Sequence, residues 1–155
     1  MPTQSQQVAK ATHYIQRVNP DLDQNDARKI VSVTMKWASE FKLDPALLLS
    51  IQTVESRFRQ HAISSSGAMG LMQFIPYWHL DKMKTVVQSK QIANPDVFDM
   101  DSNIYIGSWV MRDCMNVQKD VNKALLCYNG SLKNPNGYDD KVLRVYENLK
   151  QQIRI

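Results

Sequence analysis

Asp44-Pro45-Ala46-Leu47-Leu48-Leu49-Ser50-Ile51-Gln52-Thr53-Val54-Glu55-Ser56-Arg57-Phe58 is followed, five residues on, by Ser64-Ser65-Ser66-Gly67-Ala68-Met69-Gly70-Leu71-Met72-Gln73. The first stretch reads as a helix. Asp44 is an N-cap, and Pro45 sits at the first helical position, where its missing N–H is harmless. Leu47, Leu48, Ile51, Val54 and Phe58 recur at helical spacing and form an apolar face. The second stretch is rich in small residues and reads as a loop.

Glu55 is the anomaly in that helix. At about 100° per residue it projects inside the apolar arc, between Ile51 and Leu48. Burial disfavours a charged carboxylate, and the negative end of a helix dipole acts in the same direction. Both effects raise the pKa and favour a protonated acid near neutral pH. The plainer reading is a helix-border glutamate whose head reaches water. A buried acid beside a small-residue loop is what cleavage of a glycosidic bond asks of a protein.

The rest of the 155 residues extends the helical pattern. A first helix runs from about Gln4 to Val18 and ends at Asn19-Pro20. Asn25 or Asp26 caps a second, which turns Ile30, Val31, Thr34, Trp37, Ala38 and Phe41 inward. Gly70 to Ile75 reads as a short helix stopped by Pro76. Residues 77–100 leave helix and irregular structure both open. Asp99 or Asp101 caps a helix through Tyr105, Trp109 and Cys114. Another runs from about Asp120 to Tyr128 and stops at Asn129-Gly130. Asn134-Pro135-Asn136-Gly137 is a turn before a last helix carrying Val142, Leu143, Val145, Tyr146 and Leu149. No alternating strand is apparent. The expectation is an all-α chain, one globular domain over residues 1–155 with a substrate groove, its N-terminal helices 1–42 packed on a core of about 43–146.

Composition sets the outer limits. Hydrophobic residues make up 43% and charged residues 22%, as in globular proteins generally. The net charge of +4 is a mild bias toward anionic partners. Basic residues do not interleave densely with aromatics, so nucleic acid is not the expected partner. No stretch is long and apolar enough to insert in a membrane, and the N-terminus shows no apolar signal-peptide core. Cys114 and Cys127 both fall in helical patterns, and free thiols are the favoured reading. Two cysteines and three scattered histidines show no metal-ligand spacing, so neither a metal nor a cofactor is expected.

Three blocks carry a family resemblance. Glu55-Ser56-Arg57-Phe58 with Ala62, Ser64, Gly67-Ala68 and Gly70-Leu71-Met72-Gln73 spans 19 residues. Asn103-Ile104 with Gly107 follows, then Ala124-Leu125-Leu126-Cys127-Tyr128-Asn129-Gly130. Together they resemble the signatures of the soluble (SLT) type of lytic transglycosylase, a family with a lysozyme-like fold related to goose-type lysozymes. The family's Ala-Gly after Tyr-Asn is replaced here by Gly130-Ser131.

The resemblance implies roles residue by residue. Glu55 falls on the family's single catalytic acid, and Ser64 on a serine that hydrogen-bonds near the reacting sugar. Gln73 falls on a glutamine of the saccharide groove, with Met72 in place beside it. Tyr128 falls on a tyrosine next to the acid, where its hydroxyl would orient the Glu55 carboxyl, and Asn129 is its motif neighbour. Ile75 stands where some members carry a sugar-contacting methionine. Gly67 and Gly70 would let backbone approach the glycan closely. Tyr77 and Trp78, after Pro76, are further groove candidates by virtue of aromatic stacking on sugars, whereas Tyr105 and Trp109 at helical spacing read as core.

The implied activity is cleavage of the MurNAc-β-1,4-GlcNAc bond of peptidoglycan with formation of 1,6-anhydro-MurNAc. Asp81, Asp96, Asp99 and Asp101 are the possible second carboxylates of a hydrolytic muramidase instead. A wall-binding or assembly module that keeps the groove is the non-catalytic alternative. The expected place of action is the bacterial cell wall. A bacteriophage virion or lysis protein is the expected setting, with virion or secretion-apparatus proteins as possible partners.

Overall fold

The computed structural model describes residues 2–153 and contains seven α-helices among them. They are α1 (Gln4–Val18), α2 (Gln24–Phe41), α3 (Pro45–Ser56), α4 (Leu80–Gln88), α5 (Met100–Gln118), α6 (Val121–Asn129) and α7 (Tyr138–Ile153). A single 3-10 turn, Pro76–His79, precedes α4. The all-α expectation holds.

Most helices begin where a side chain answers their free N–H groups. Thr3 and Gln6 form a reciprocal capping box at α1. Asp23 caps α2 by accepting from the Asp26 N–H at 2.7 Å, so the cap lies ahead of the expected Asn25 or Asp26. Asp44, Asp99 and Asp120 cap α3, α5 and α6. The α6 helix ends on Gly130 in the left-handed conformation, φ 80°.

Helix α3 is the axis of the fold. Ala46 through Gln52 are all buried, on every side of the helix rather than on one face. It packs against α2 and α7, while α5 packs on α2 and α6. A single hydrophobic cluster draws on all seven helices, with Ile15, Ile30, Leu48, Val86, Ile104, Leu125 and Val142 among its members. Each such fully buried side chain contributes about 1.5–3 kcal/mol. Two of the polar groups that α3 carries inside donate within the core: the Ser50 hydroxyl to Ala46 O at 2.7 Å, and the Gln52 amide nitrogen to Thr34 Oγ1 at 3.0 Å, while Gln52 Oε1 has no partner among the described residues.

The segment after α3 is not helical. Residues 70–75, expected as a short helix, form a tight loop with isolated bridges Ile63–Met69 and Met69–Phe74. Gly70 at φ 77° and Gln73 at φ 53° interrupt any right-handed run. The cysteines also depart from expectation: Cys114 and Cys127 form a disulfide joining α5 to α6. Their 13-residue separation spans a helix–turn–helix hairpin that folds one thiol onto the other, a proximity that helical periodicity does not show.

Candidate active site

The 57–75 loop is anchored from three directions. On the α1 side, Asn19 Nδ2 donates to the Phe58 carbonyl at 3.0 Å. On the α3 side, Ser56 Oγ donates to Leu71 O at 2.8 Å. On the α5 side, the buried Asn103 amide donates to Met69 O at 3.0 Å and Val97 O at 2.9 Å, and accepts from Met72 N at 2.8 Å. The absence of a side chain at Gly70 makes room for that amide: a Cβ there would lie 2.1 Å from Asn103 Nδ2. Gly70 therefore serves packing on α5 rather than approach to a ligand.

Glu55, in the last turn of α3, opens into a cleft of about 570 Å³. The loop supplies Ser64, Ser66, Ala68 and Gln73 to its lining. The stretch leading into α4 supplies Phe74, Ile75, Trp78 and His79. Val110 comes from α5, and Cys127, Tyr128, Asn129 and Gly130 from the end of α6. Among the described residues lining the cleft, Glu55 is the one carboxylate.

The surroundings of Glu55 favour its protonated form. Burial pushes its carboxyl up from an ordinary 4.5 to about 7. A hydrogen bond from Tyr138 and the positive charge of Lys141 act against that rise. The bond runs from Tyr138 OH to Glu55 Oε2 at 3.0 Å. Burial, with Glu55 nearby, keeps the Tyr138 phenol well above its usual range, so it remains a donor.

This arrangement corrects the role expected of Tyr128. Its hydroxyl donates to the Met72 carbonyl at 2.6 Å instead of reaching Glu55. Tyr138, at the start of α7, makes the contact. The signal for it was present: Tyr138 follows the Asn134–Gly137 turn and lies on one helical face with Val142 and Leu149. Asn136 Oδ1 accepts from the Tyr138 N–H at 3.1 Å, while Asn136 Nδ2 donates to Asn129 Oδ1 at 3.0 Å. That turn thereby links the end of α6 to the residue that holds the acid.

The other expected site residues divide. Ser64, Gln73, Tyr128, Asn129 and Trp78 line the cleft together with Glu55. Gln73 does so with its amide nitrogen engaged, donating to Ala62 O at 2.9 Å and Gly70 O at 3.0 Å. Met72 does not face the cleft. Its side chain is fully buried against Gly107, because the left-handed Gln73 that follows turns the chain at that point. Tyr77 is 72% exposed and lies outside the lining, to which the 3-10 turn contributes Trp78 and His79 instead.

The four aspartates considered as second carboxylates are also elsewhere. Asp99 caps α5, and Asp101 accepts from Trp37 Nε1 at 2.7 Å and pairs with Lys36. Asp96 accepts from the Phe98 N–H at 2.9 Å, and Asp81 is exposed. Tyr105 and Trp109 join Trp37 and Phe41 in a half-buried aromatic cluster between α2 and α5. No group of three or more His, Cys, Asp or Glu gathers among the described residues in a way that would hold a metal ion.

Seven helices, a central apolar helix ending in a protonatable glutamate, and a loop-walled cleft define a lysozyme-like architecture. The transglycosylase SLT domain family matches residues 32–144, and the chain belongs to that family. It is 30% identical over 113 residues to the transglycosylase of Enterobacteria phage PRD1, covering 69% of this chain and 39% of that protein. It is 34% identical over 91 residues to membrane-bound lytic murein transglycosylase C of Mannheimia succiniciproducens, covering 56% of this chain and 26% of that one. Against the protein of the same name from Photorhabdus laumondii the identity is 29% over 140 residues, covering 89% and 39%. The chain thus spans between about a quarter and two fifths of the length of these relatives. In fold it is similar to an inactive mutant of the lytic transglycosylase Slt from Pseudomonas aeruginosa, with a TM-score of 0.56 over 79% of this chain and 22% of that one at 18% identity. Among the described residues no helix is long and apolar enough to cross a membrane.

Proposed function

We propose that this chain is a peptidoglycan lytic transglycosylase that cleaves the MurNAc-β-1,4-GlcNAc bond with Glu55 as its single acid and base. The observation that carries this reading is the lone carboxylate among the described lining residues, raised to about 7 and held by Tyr138. Glycosidases that use water generally need two carboxylates across the scissile bond. A single one suffices when the nucleophile belongs to the substrate.

The neutral Glu55 carboxyl gives its proton to the glycosidic oxygen as the bond to the MurNAc anomeric carbon breaks, and GlcNAc leaves with a free 4-hydroxyl. The substrate's 2-acetamido group stabilises the positive centre. The Glu55 carboxylate then takes the proton of the MurNAc 6-hydroxyl, whose oxygen closes on the anomeric carbon. The product is 1,6-anhydro-MurNAc, no water enters, and Glu55 ends protonated as it began. A pKa of about 7 suits a group that must give and retake one proton near neutrality. Tyr138 holds the carboxyl in position through both steps, and Ser64, Gln73, Tyr128 and Asn129 flank the glycan strand.

The site of action in this reading is the bacterial cell wall. A bacteriophage virion or lysis protein is the favoured setting, supported by the phage PRD1 relative. A wall-remodelling subunit of a secretion apparatus is the alternative.

The test is mass spectrometry of the soluble fragments that the chain releases from purified peptidoglycan, alongside Glu55→Gln. Fragments ending in 1,6-anhydro-MurNAc, absent with the variant, are the expected result. Fragments one water heavier identify a hydrolytic muramidase. Sedimentation with the wall and no fragments from either protein identifies a binding module.

A further inference from the structure

The turn Pro76–His79, which none of the family blocks includes, brings Trp78 and His79 to the cleft lining. Trp78 lines the cleft and is nevertheless 69% exposed. A tryptophan left this far in water on a groove wall offers a flat apolar face with nothing of the protein covering it. Its neighbour Tyr77 stands edge-on to it, ring centroids 5.3 Å apart and planes at 79°. His79 is half-buried in the same lining, its ring edge-on to the buried Phe74 at 6.1 Å. Among the described residues its imidazole makes no hydrogen bond to any protein group. A half-buried histidine normally has a partner for at least one ring nitrogen.

The chemistry of this corner matches one class of ligand. A pyranose ring presents a face of C–H groups and a rim of hydroxyl and amide groups. An indole suits the face, and a neutral imidazole, with one donor and one acceptor, suits the rim. Burial first, and Lys82 second, push the His79 pKa below its usual 6.5, so the ring is neutral where the wall is met. Lys82 itself is engaged, paired with Asp113 at 2.9 Å and lying over the Trp109 ring. A neutral rim favours a sugar over the carboxylates of a peptide stem.

We infer that Trp78 and His79 form a saccharide subsite, in which the indole stacks on an N-acetylhexosamine ring and the imidazole hydrogen-bonds its hydroxyl or acetamido group. The inference rests on the glycan-cleaving reading of the cleft and adds to it. The pair sets affinity for the strand, while Glu55 and Tyr138 set the chemistry.

The experiment is steady-state cleavage of soluble uncrosslinked glycan strands by the whole chain and by Trp78→Ala, His79→Phe, His79→Gln and Leu80→Ala. Leu80 is 61% exposed beside the turn and outside the lining, so its variant is the comparator. Trp78→Ala and His79→Phe are expected to raise KM about tenfold with kcat held within about twofold. His79→Gln, which keeps a donor and an acceptor, recovers most of that loss, and Leu80→Ala behaves as the parent. Titration of strands into the same variants on a Glu55→Gln background reads the affinity without turnover. An unchanged KM and affinity in His79→Phe overturn the subsite and leave the glycan-cleaving reading intact. A fall in kcat at constant KM overturns it in favour of a structural role. A parent chain that neither cleaves nor binds strands overturns both readings together.

Discussion

The two walls of the cleft are made in opposite ways. The wall from Arg57 to Phe74 is tied down by buried polar groups: Asn103 alone engages Met69, Met72 and Val97, and Asn19, Ser56 and Tyr128 hold Phe58, Leu71 and Met72. Arg57 and Phe58 keep left-handed backbone there, φ 51° and 60°, which persists only where the surroundings over-determine it. The wall at Trp78 and His79 has few such ties: Trp78 stands exposed to solvent, as do Tyr77, Leu80 and Val87 around it outside the lining. The difference suits the work that the proposed function gives each wall: fixed positions beside the acid, and open apolar surface for a long polymer.

The contrast is breakable by mutation. Asn103→Ala should do the most damage: it orphans Met72 N, Met69 O and Val97 O in the interior and should cost about 3 kcal/mol or more, read by denaturant unfolding. A loss under about 1 kcal/mol would mean that the rigid wall does not depend on this amide.

Glu55→Gln should match that size with a pH signature. The Glu55 carboxyl titrates near 4.5 when unfolded and near 7 when folded, so the stability of the parent is fully present below pH 4.5 and is lost as pH rises through 7. That shift amounts to about 3 kcal/mol. The variant lacks this loss, so the difference in Tm between variant and parent should grow from pH 4.5 to 7 and then level off. A difference independent of pH would show that the carboxyl is not perturbed.

Reduction of Cys114–Cys127 comes next. The bridge closes a loop with a sequence separation of 13 and ties α6, which carries Tyr128, to α5, so unfolding with and without reductant should differ by about 2–3 kcal/mol. Equal stabilities would make the bridge incidental to the packing of α6 on α5. Tyr138→Phe is subtler. It removes a hydrogen bond that favours the carboxylate, so the basic limb of the pH–activity profile should move up by about one unit while kcat falls about tenfold. Movement of that limb to lower pH would contradict the geometry. Tyr77→Ala, beside the open wall, should change stability by less than about 0.5 kcal/mol. A larger loss would show that the open wall is supported from behind by this ring.

Much of this was legible before folding. Helix α1 ran from Gln4 to Val18 as its period and the Asn19-Pro20 stop required, and Asp44-Pro45 opened α3 as capping chemistry dictates. Glu55 was identifiable from an apolar arc interrupted by a carboxyl group. Residues 70–75 misled because Leu71, Met72, Phe74 and Ile75 look like a helix face. They are a loop that is apolar because α5 covers it, and Gly70 is there because Asn103 needs the space. Local pattern carries no record of a partner more than 30 residues away.

What the sequence determined by itself was therefore the local and the periodic: which segments coil, what caps them, and which acid stands in apolar company. The tertiary structure alone decided the pairings between distant segments. It put Tyr138 rather than Tyr128 on Glu55, joined Cys114 to Cys127, buried Met72, and turned His79 inward while leaving Tyr77 out. Helical periodicity states which face of an element is apolar, but contacts such as the 83-residue separation between Tyr138 and Glu55 depend on how α7 docks on α3. That docking is a property of the packed core and of no single segment.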